Sequence, residues 1–164
     1  MNLTFFPLFI LLLFATCPSY AKNTNFSGVW SMKNCDASEP KRECGVFYLY
    51  LIQQGGRICG EHFVATQGLS RLDEGDPGTV LGVVRGNKAV FFIKSTRNNA
   101  SYVAEGTIAG RSFAWHRIGM TTAGKDDEPS IIPLEVTLSK NTAPEQLAHL
   151  KEVESAPCRW PDQK

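Results

Sequence analysis

The densest group of reactive residue types in this chain of 164 residues lies between Gly55 and His62. A Gly-Gly pair, Cys59 and the dipeptide Glu61-His62 occur within eight residues there. Glycine-rich turns can approach phosphate groups, whereas cysteine, glutamate and histidine supply nucleophiles, acids, bases and metal ligands. What this stretch does therefore depends on the secondary structure that positions its side chains.

Strand geometry separates the two residues of this group that could act as an acid and a base. Neighbouring side chains on a strand point to opposite faces, so Glu61 and His62 cannot act together. The other histidines, His116 and His149, form no His-Glu-x-x-His pattern, and the chain has no Cys-x-x-Cys pair. We therefore predict a protein that is not an enzyme and has no cofactor or metal. The alternative is catalysis by an inward-facing His62.

The first 21 residues predict a secretory signal peptide. Residues 5–14 form an apolar run that is too short to span a bilayer, and Ser19-Tyr20-Ala21 ends in a small-x-small cleavage pattern. Cleavage after Ala21 predicts a periplasmic or extracellular chain without stable membrane insertion. Cys17 leaves open a second interpretation, in which the protein is a lipoprotein lipidated at that cysteine.

Cysteine number predicts two disulfides in the mature chain. Removal of the leader leaves four cysteines, which is typical of a disulfide framework in an oxidising compartment. Three connectivities are open. We favour a Cys35–Cys44 bridge, because this pair brackets one polar loop, together with a long Cys59–Cys158 bridge.

Length and charge limit the class of protein. A mature chain of roughly 140 residues is typical of a single domain. Its formal net charge of +1 gives no basic surplus for neutralising phosphates, which argues against a nucleic-acid partner. We expect residues 22–140 to form the body of this domain and residues 141–164 to add a helix and a disulfide-tethered tail.

The middle of the chain alternates apolar and polar residues between short turns rich in glycine and asparagine, a pattern typical of antiparallel hairpins. Eight strands are predicted at residues 26–32, 45–53, 57–65, 79–86, 88–95, 101–109, 111–119 and 131–139. Pro133 restricts the start of the last strand to an edge or bulge. The predicted fold class is all-β, an antiparallel meander of about eight strands that closes into a small barrel. A two-sheet sandwich is the alternative.

A short helix is predicted after the last strand. Thr142 and Glu145 match a capping box, and Pro144 suits a first turn. Leu147, Leu150 and Val153 would then form one apolar stripe.

Pairing the strands across their turns assigns side chains to the two faces of the sheet. With Gly55-Gly56 at a hairpin tip, Leu51 lies opposite Gly60, and Leu49 lies opposite His62. The residues predicted to line the interior are Phe47, His62, Phe91, Tyr102, Phe113 and Trp115. On the outside, an apolar partner patch is predicted from Leu81, Val83, Val90 and Phe92, because exposed apolar patches mark interfaces or are covered by another element.

The order of these elements resembles calycin-type barrels, the group of lipocalins and avidins. Gly28-Val29-Trp30 is similar to the Gly-x-Trp strand with which those barrels often begin, and Gln53, Gly55 and Gly60 lie in a similar first hairpin. The resemblance covers residues 26–118 and implies a calycin-like barrel with Trp30 as a structural plug at its base. The second lipocalin motif is absent from the sequence, so we carry over no binding residue.

These features lead us to expect a non-enzymatic exported protein that binds another secreted or periplasmic protein. The narrower form of this expectation is that the protein inhibits its partner. Loops 33–45, 66–79 and 119–130 would make the contacts, together with the partner patch. The alternative is a carrier that holds a small apolar or aromatic ligand inside the barrel.

Overall fold

The chain folds into a β-barrel with one helix packed on its outside. This computed structural model describes residues 24–125, 128–156 and 160. The strands are β1 Gly28–Asn34, β2 Gly45–Gln54, β3 Arg57–Ala65, β4 Leu72–Glu74, β5 Val80–Arg85, β6 Lys88–Lys94, β7 Ser101–Ala109, β8 Ser112–Thr122 and β9 Glu135–Asn141. The helix is α1 Pro144–Ser155.

The barrel closes because the first and last strands pair with each other. Consecutive long strands pair antiparallel around the sheet, and β9 returns to β1, where Val29 lies opposite Asn141. The short β4 pairs with the end of β3 that extends beyond β5. The eight long strands thus form a closed antiparallel meander, which confirms the predicted fold class.

Hairpin geometry sets the register that places side chains inside or outside. Gly55 and Gly86 have φ of 60° and 66°, the left-handed conformation that a tight hairpin turn requires and that glycine adopts without steric cost. Leu49 pairs with His62 and Leu51 with Gly60, as the sequence predicts. The apolar faces of β2, β3, β5 and β6 consequently point into the barrel.

Aromatic rings fill the interior. Neighbouring rings lie 5.4–6.4 Å apart between centroids, mostly edge to face, an arrangement that adds to the gain from burial alone. Trp30 is buried and donates a hydrogen bond from Nε1 to the Phe26 carbonyl at 2.8 Å, in agreement with a structural role. The rings of this core are Phe26, Trp30, Phe47, Phe91, Phe113 and Trp115.

Helix α1 packs across the outer face of β1, β2 and β3. Val153 is buried against Val29 and Tyr50, Leu150 is partly buried beside them, and Leu147 remains exposed. The predicted capping box is wrong. The N-cap is Ala143, whose methyl side chain can neither donate nor accept a hydrogen bond. The Ala143 amide instead donates a hydrogen bond to Oδ1 of Asn141 at 2.9 Å.

Two predicted loops are more structured than their composition indicates. The segment 66–79 contains a 3-10 turn at Gln67–Leu69 and the strand β4, because polar residues there pair with β3 and with the turn after β6. In addition, β8 continues to Thr122, into the predicted loop 119–130, because its pairing with β7 extends to Ser101 through a bulge.

The Cys35–Cys44 disulfide is present, as predicted, and closes the loop between β1 and β2. Cys59 is also disulfide-bonded, but Cys158 lies outside the described residues, so the Cys59–Cys158 pairing stays a prediction. The predicted signal peptide likewise lies outside them. Within the described ranges, no helix is both long and apolar enough to cross a bilayer.

Candidate functional site

A cleft of about 600 Å³ lies outside the barrel, between α1, the outer face of β2 and β3, and the loop that follows β4. It combines carboxylates, histidines and aromatic rings. The lining residues are Tyr48, Tyr50, Glu61, His62, Phe63, Glu74, Gly75, Asp76, Pro77, Glu145, Gln146 and His149.

Backbone hydrogen bonds hold the loop wall of the cleft against β3. The Gly75 amide donates to the His62 carbonyl at 2.8 Å, and the Gly78 amide donates to the Gly60 carbonyl at 2.9 Å. These bonds attach both ends of the turn to the same strand. The carboxylates of Glu74 and Asp76 are therefore carried on a wall that backbone bonds fix in place.

Glu61 joins the barrel to the helix wall. The Glu61 side chain is only 8% exposed, and one of its carboxylate oxygens forms a hydrogen bond with Nε2 of His149. The other ring nitrogen of His149 lies 3.3 Å from the Glu152 carboxylate on the same helix. Burial raises the pKa of the Glu61 carboxyl, while the contact with His149 opposes that rise.

Tyr50 makes the second polar connection to the helix. Its hydroxyl donates to Oε1 of Gln146, and its ring meets the His149 ring edge to face, with centroids 4.6 Å apart. Burial, with smaller effects from Tyr48 and Glu61, raises the pKa of the Tyr50 hydroxyl, so it remains a hydrogen-bond donor at neutral pH. Tyr48 stacks on Tyr50 and extends the aromatic wall.

On the opposite face of β3, His62 points into the end of the barrel and is 1% exposed. Its Nε2 lies 3.3 Å from Oδ1 of Asp73, although this contact does not have the geometry of a hydrogen bond. Its Nδ1 lies 3.4 Å from the Thr79 hydroxyl. The Glu61 and His62 side chains thus point to opposite faces of β3, as strand geometry predicts, although both residues line the cleft.

Asp73 organises the same end of the barrel from the short strand β4. Its carboxylate accepts hydrogen bonds from the Ser95 hydroxyl at 2.6 Å and from the amide and hydroxyl of Thr96. Burial alone would raise the pKa of this carboxyl. The neighbouring His62 ring and the bond from Ser95 outweigh burial and lower the pKa to about 2. This arrangement stabilises a charged carboxylate inside the fold.

The residues predicted to line a ligand site are all buried, as their inward placement requires. Phe91, Phe113 and Trp115 contact one another, and Phe47 contacts Trp115, so these rings pack against each other as core. Their role in binding a ligand stays a prediction.

The predicted partner patch lies on β5 and β6, away from α1. Val83, Val90 and Phe92 are 58%, 50% and 40% exposed, and Leu81 is half-buried. Val83 pairs with Val90 and Leu81 with Phe92, so the four side chains form one block on the outer surface. Near this block, the Arg57 guanidinium lies over the Trp160 ring at 5.1 Å.

Sequence reasoning missed two residues of these sites. Asp73 lies in a segment rich in glycine, proline and acids, which is typical of a solvated loop, so its burial has no local signal. His149 follows the helical pattern of α1, but no pattern shows which surface of the barrel the helix covers. The contact of His149 with Glu61 follows only from the fold.

Comparison with protein-family models and with curated proteins finds no match for this chain. The class that the structure defines is a closed, eight-stranded antiparallel β-barrel, an architecture consistent with a calycin-like protein. Among the described residues, no group of three or more potential ligands is arranged to hold a metal ion.

Proposed function

We propose that the protein is an exported, non-enzymatic β-barrel of the calycin type that binds another secreted or periplasmic protein. The narrower form of this proposal is that the partner is an enzyme, which the barrel inhibits. The observation that carries this proposal is the block of exposed apolar side chains formed by Val83, Val90 and Phe92 on the adjacent strands β5 and β6. Removal of exposed apolar surface from water is favourable, so a partner that covers this block lowers the free energy of the system.

The position of α1 supports a role for this block in binding. The helix covers the outer apolar side chains of β1, β2 and β3, where Val29 and Tyr50 are buried. It leaves β5 and β6 uncovered on their outer face. The chain therefore buries one outer apolar surface within itself and presents the other to solvent.

The packed interior favours this function over the alternative of a small-molecule carrier. Small barrels of eight strands either fill with side chains or enclose one ligand. Here, the Phe113 ring contacts both Trp30 and Trp115 in the interior, and further buried aromatic rings surround them.

Capture experiments with matched variants test the proposal. Residues 22–164 would be immobilised as wild type, as the double variant Val83→Thr/Val90→Thr, and as the control Ile118→Thr, each exposed to the native extracellular or periplasmic extract. Threonine keeps the β-branched shape that suits a strand, so the double variant changes polarity and little else. Ile118 is 49% exposed on β8 and tests apolar surface outside the patch.

We expect one reproducible partner that wild type and Ile118→Thr retain and that the double variant loses. Failure to capture a partner, or capture unaffected by the double variant, would contradict the proposal. Sedimentation of the purified protein supplies a further test. A concentration-dependent dimer that the double variant abolishes would show that the patch binds a second copy of this chain instead.

A further inference from the structure

The cleft between α1 and the barrel has a chemical character that the proposed function does not use. Four carboxyl groups line it, and the described lining residues include no lysine or arginine. The whole chain has a net charge of only +1, so this concentration of acids is local. A concave wall of one charge sign raises the local concentration of counter-ions. The acids are Glu61, Glu74, Asp76 and Glu145.

Aromatic rings form the floor between these acids. Tyr48 stacks on Tyr50, with centroids 5.9 Å apart and ring planes 23° from parallel, and Phe63 lies 6.2 Å from Tyr48. Tyr48 and Phe63 are only partly buried. The faces of aromatic rings attract cations through the ring quadrupole.

Among the described residues that line the cleft, none places a permanent positive charge beside the buried acid Glu61. Glu61 is 6% exposed, and its partner in the cleft is the imidazole of His149, which is itself half-exposed. A buried carboxylate gains most from a fixed cationic partner. An ammonium or guanidinium group entering the cleft would supply that charge.

Both walls are held in place before any ligand enters. The loop wall is bonded to β3 through the amides of Gly75 and Gly78, and the helix wall is fixed by Tyr50–Gln146 and Glu61–His149. A preformed site loses little conformational entropy on binding. The cleft volume of about 600 Å³ is large enough for the end of a lysine or arginine side chain or for a small free amine.

We infer that this cleft binds an organic cation, an ammonium or guanidinium group, between the carboxylates of Glu61, Glu74 and Asp76 and the rings of Tyr48 and Phe63. The cation can belong to a free amine or to a basic side chain of a protein partner. This site is separate from the partner patch on β5 and β6, and its test does not depend on finding a partner.

Titration of the purified, isotope-labelled chain with N-acetyl-arginine amide, followed by NMR, tests the inference directly. The matched ligand is N-acetyl-citrulline amide, which has nearly the same shape and no charge. We expect saturable shifts at the amides of Phe63, Gly75 and Gln146 with the arginine probe, a dissociation constant of about 1 mM, and weaker binding as salt is added. The citrulline probe should bind at least about tenfold more weakly.

Two double variants separate a local effect of the cleft from an effect of total charge. Glu74→Gln/Asp76→Asn removes two cleft carboxylates and should weaken binding of the arginine probe by about tenfold. Glu135→Gln/Glu154→Gln removes the same charge from exposed positions on β9 and α1 outside the cleft and should leave the affinity within about twofold. Equal binding of both probes, or equal affinities of both variants, would overturn the inference.

The source of the cation is decided by competition. If the arginine probe releases a captured partner while the citrulline probe does not, the natural ligand is a basic side chain of that partner. If the probe binds and leaves the captured partner in place, or if no partner is captured, the cation is a free amine. Cation binding without a partner would contradict the proposed function and leave this inference standing.

Discussion

Asp73 shows how a single polar residue can organise one end of a barrel. Its carboxylate accepts bonds from the turn after β6 and lies against His62 of β3, so it links three parts of the sheet. A buried carboxylate costs free energy unless hydrogen bonds and nearby charge compensate it. The Asp73 carboxylate has both kinds of compensation, which is why its pKa falls although it is buried.

Substitution Asp73→Asn should lower the free energy of unfolding at pH 7 by about 2 kcal/mol. The pKa of Asp73 falls from 3.8 to about 2 on folding, so the charged carboxylate stabilises the fold above pH 4. This contribution is lost as the pH falls from about 4 to about 2. Urea unfolding across that range should therefore show the curves of wild type and variant converging towards pH 2.

Glu74→Gln is the control for this measurement, because it removes the exposed carboxyl next in sequence to Asp73. Its stability should follow that of the wild type at every pH within about 0.5 kcal/mol. A constant difference between Asp73→Asn and wild type from pH 7 to pH 2 would show that the charge of Asp73 does not stabilise the fold.

Helix α1 is attached to the barrel through a small number of side chains. A helix of 12 residues is marginal in isolation, and Val153 is its one fully buried side chain within the described residues. Leu150 is partly buried in the same cluster, the His149 ring meets the Tyr50 ring edge to face, and polar contacts run from Gln146 to β2 and from His149 to β3. The helix wall of the cleft therefore depends on a small number of interactions.

Val153→Ala should weaken the docking of α1 by about 1–2 kcal/mol, because it removes buried methyl groups from the contact with Val29 and Tyr50. Hydrogen exchange of the α1 amides should accelerate by roughly 5- to 30-fold, while the amides of the barrel strands keep their rates. Lys151→Ala, at an exposed position of the same helix, should change neither.

Equal acceleration in the helix and in the barrel strands would contradict this prediction. It would show that α1 unfolds only together with the whole domain.

The strands could be predicted from the sequence and the position of the helix could not. Alternation in β2 and β3 and the glycine at the hairpin tip determine which residues face inward, so the pairing of Leu49 with His62 follows from local pattern alone. The short strand β4 lacks such a pattern because three residues are too few to show an alternation, and the side chain of Asp73 is held by Ser95 and Thr96, which are 22 and 23 residues away. The cleft depends on where α1 docks on the barrel. The apolar stripe of α1 identifies the face of the helix that is buried, but it does not identify the barrel surface against which that face packs.

At the scale of the whole molecule, the chain divides its apolar outer surface into a covered and an uncovered part. Helix α1 covers the side on which Val29 and Tyr50 lie, and β5 and β6 present Val83, Val90 and Phe92 to solvent. The acidic cleft borders the covered part. We therefore expect the two candidate binding surfaces to act independently.

At the level of the complete chain, we predict cleavage after Ala21 and two disulfides in the mature protein. Protein recovered from the periplasm or the extracellular medium of its own cell should begin at Lys22. Peptide mapping without reduction should give one linked pair from Cys35 and Cys44 and a second from Cys59 and Cys158. Reduction is the control, because it should separate both pairs.

A mature chain that retains a lipidated Cys17 would contradict the predicted cleavage site. A link from Cys59 to any cysteine other than Cys158 would contradict the predicted second disulfide.

The pairing of β1 with β9 also determines the order in which this fold can be completed. Each hairpin contact joins strands that are close in sequence and can form as the chain is synthesised. The contact between Val29 and Asn141 joins the two ends of the barrel and has to wait for the last strand. Until then, β1 and β8 present unpaired edges on which another chain could add a strand. The interval between synthesis of β8 and of β9 is therefore when this protein is most exposed to aggregation.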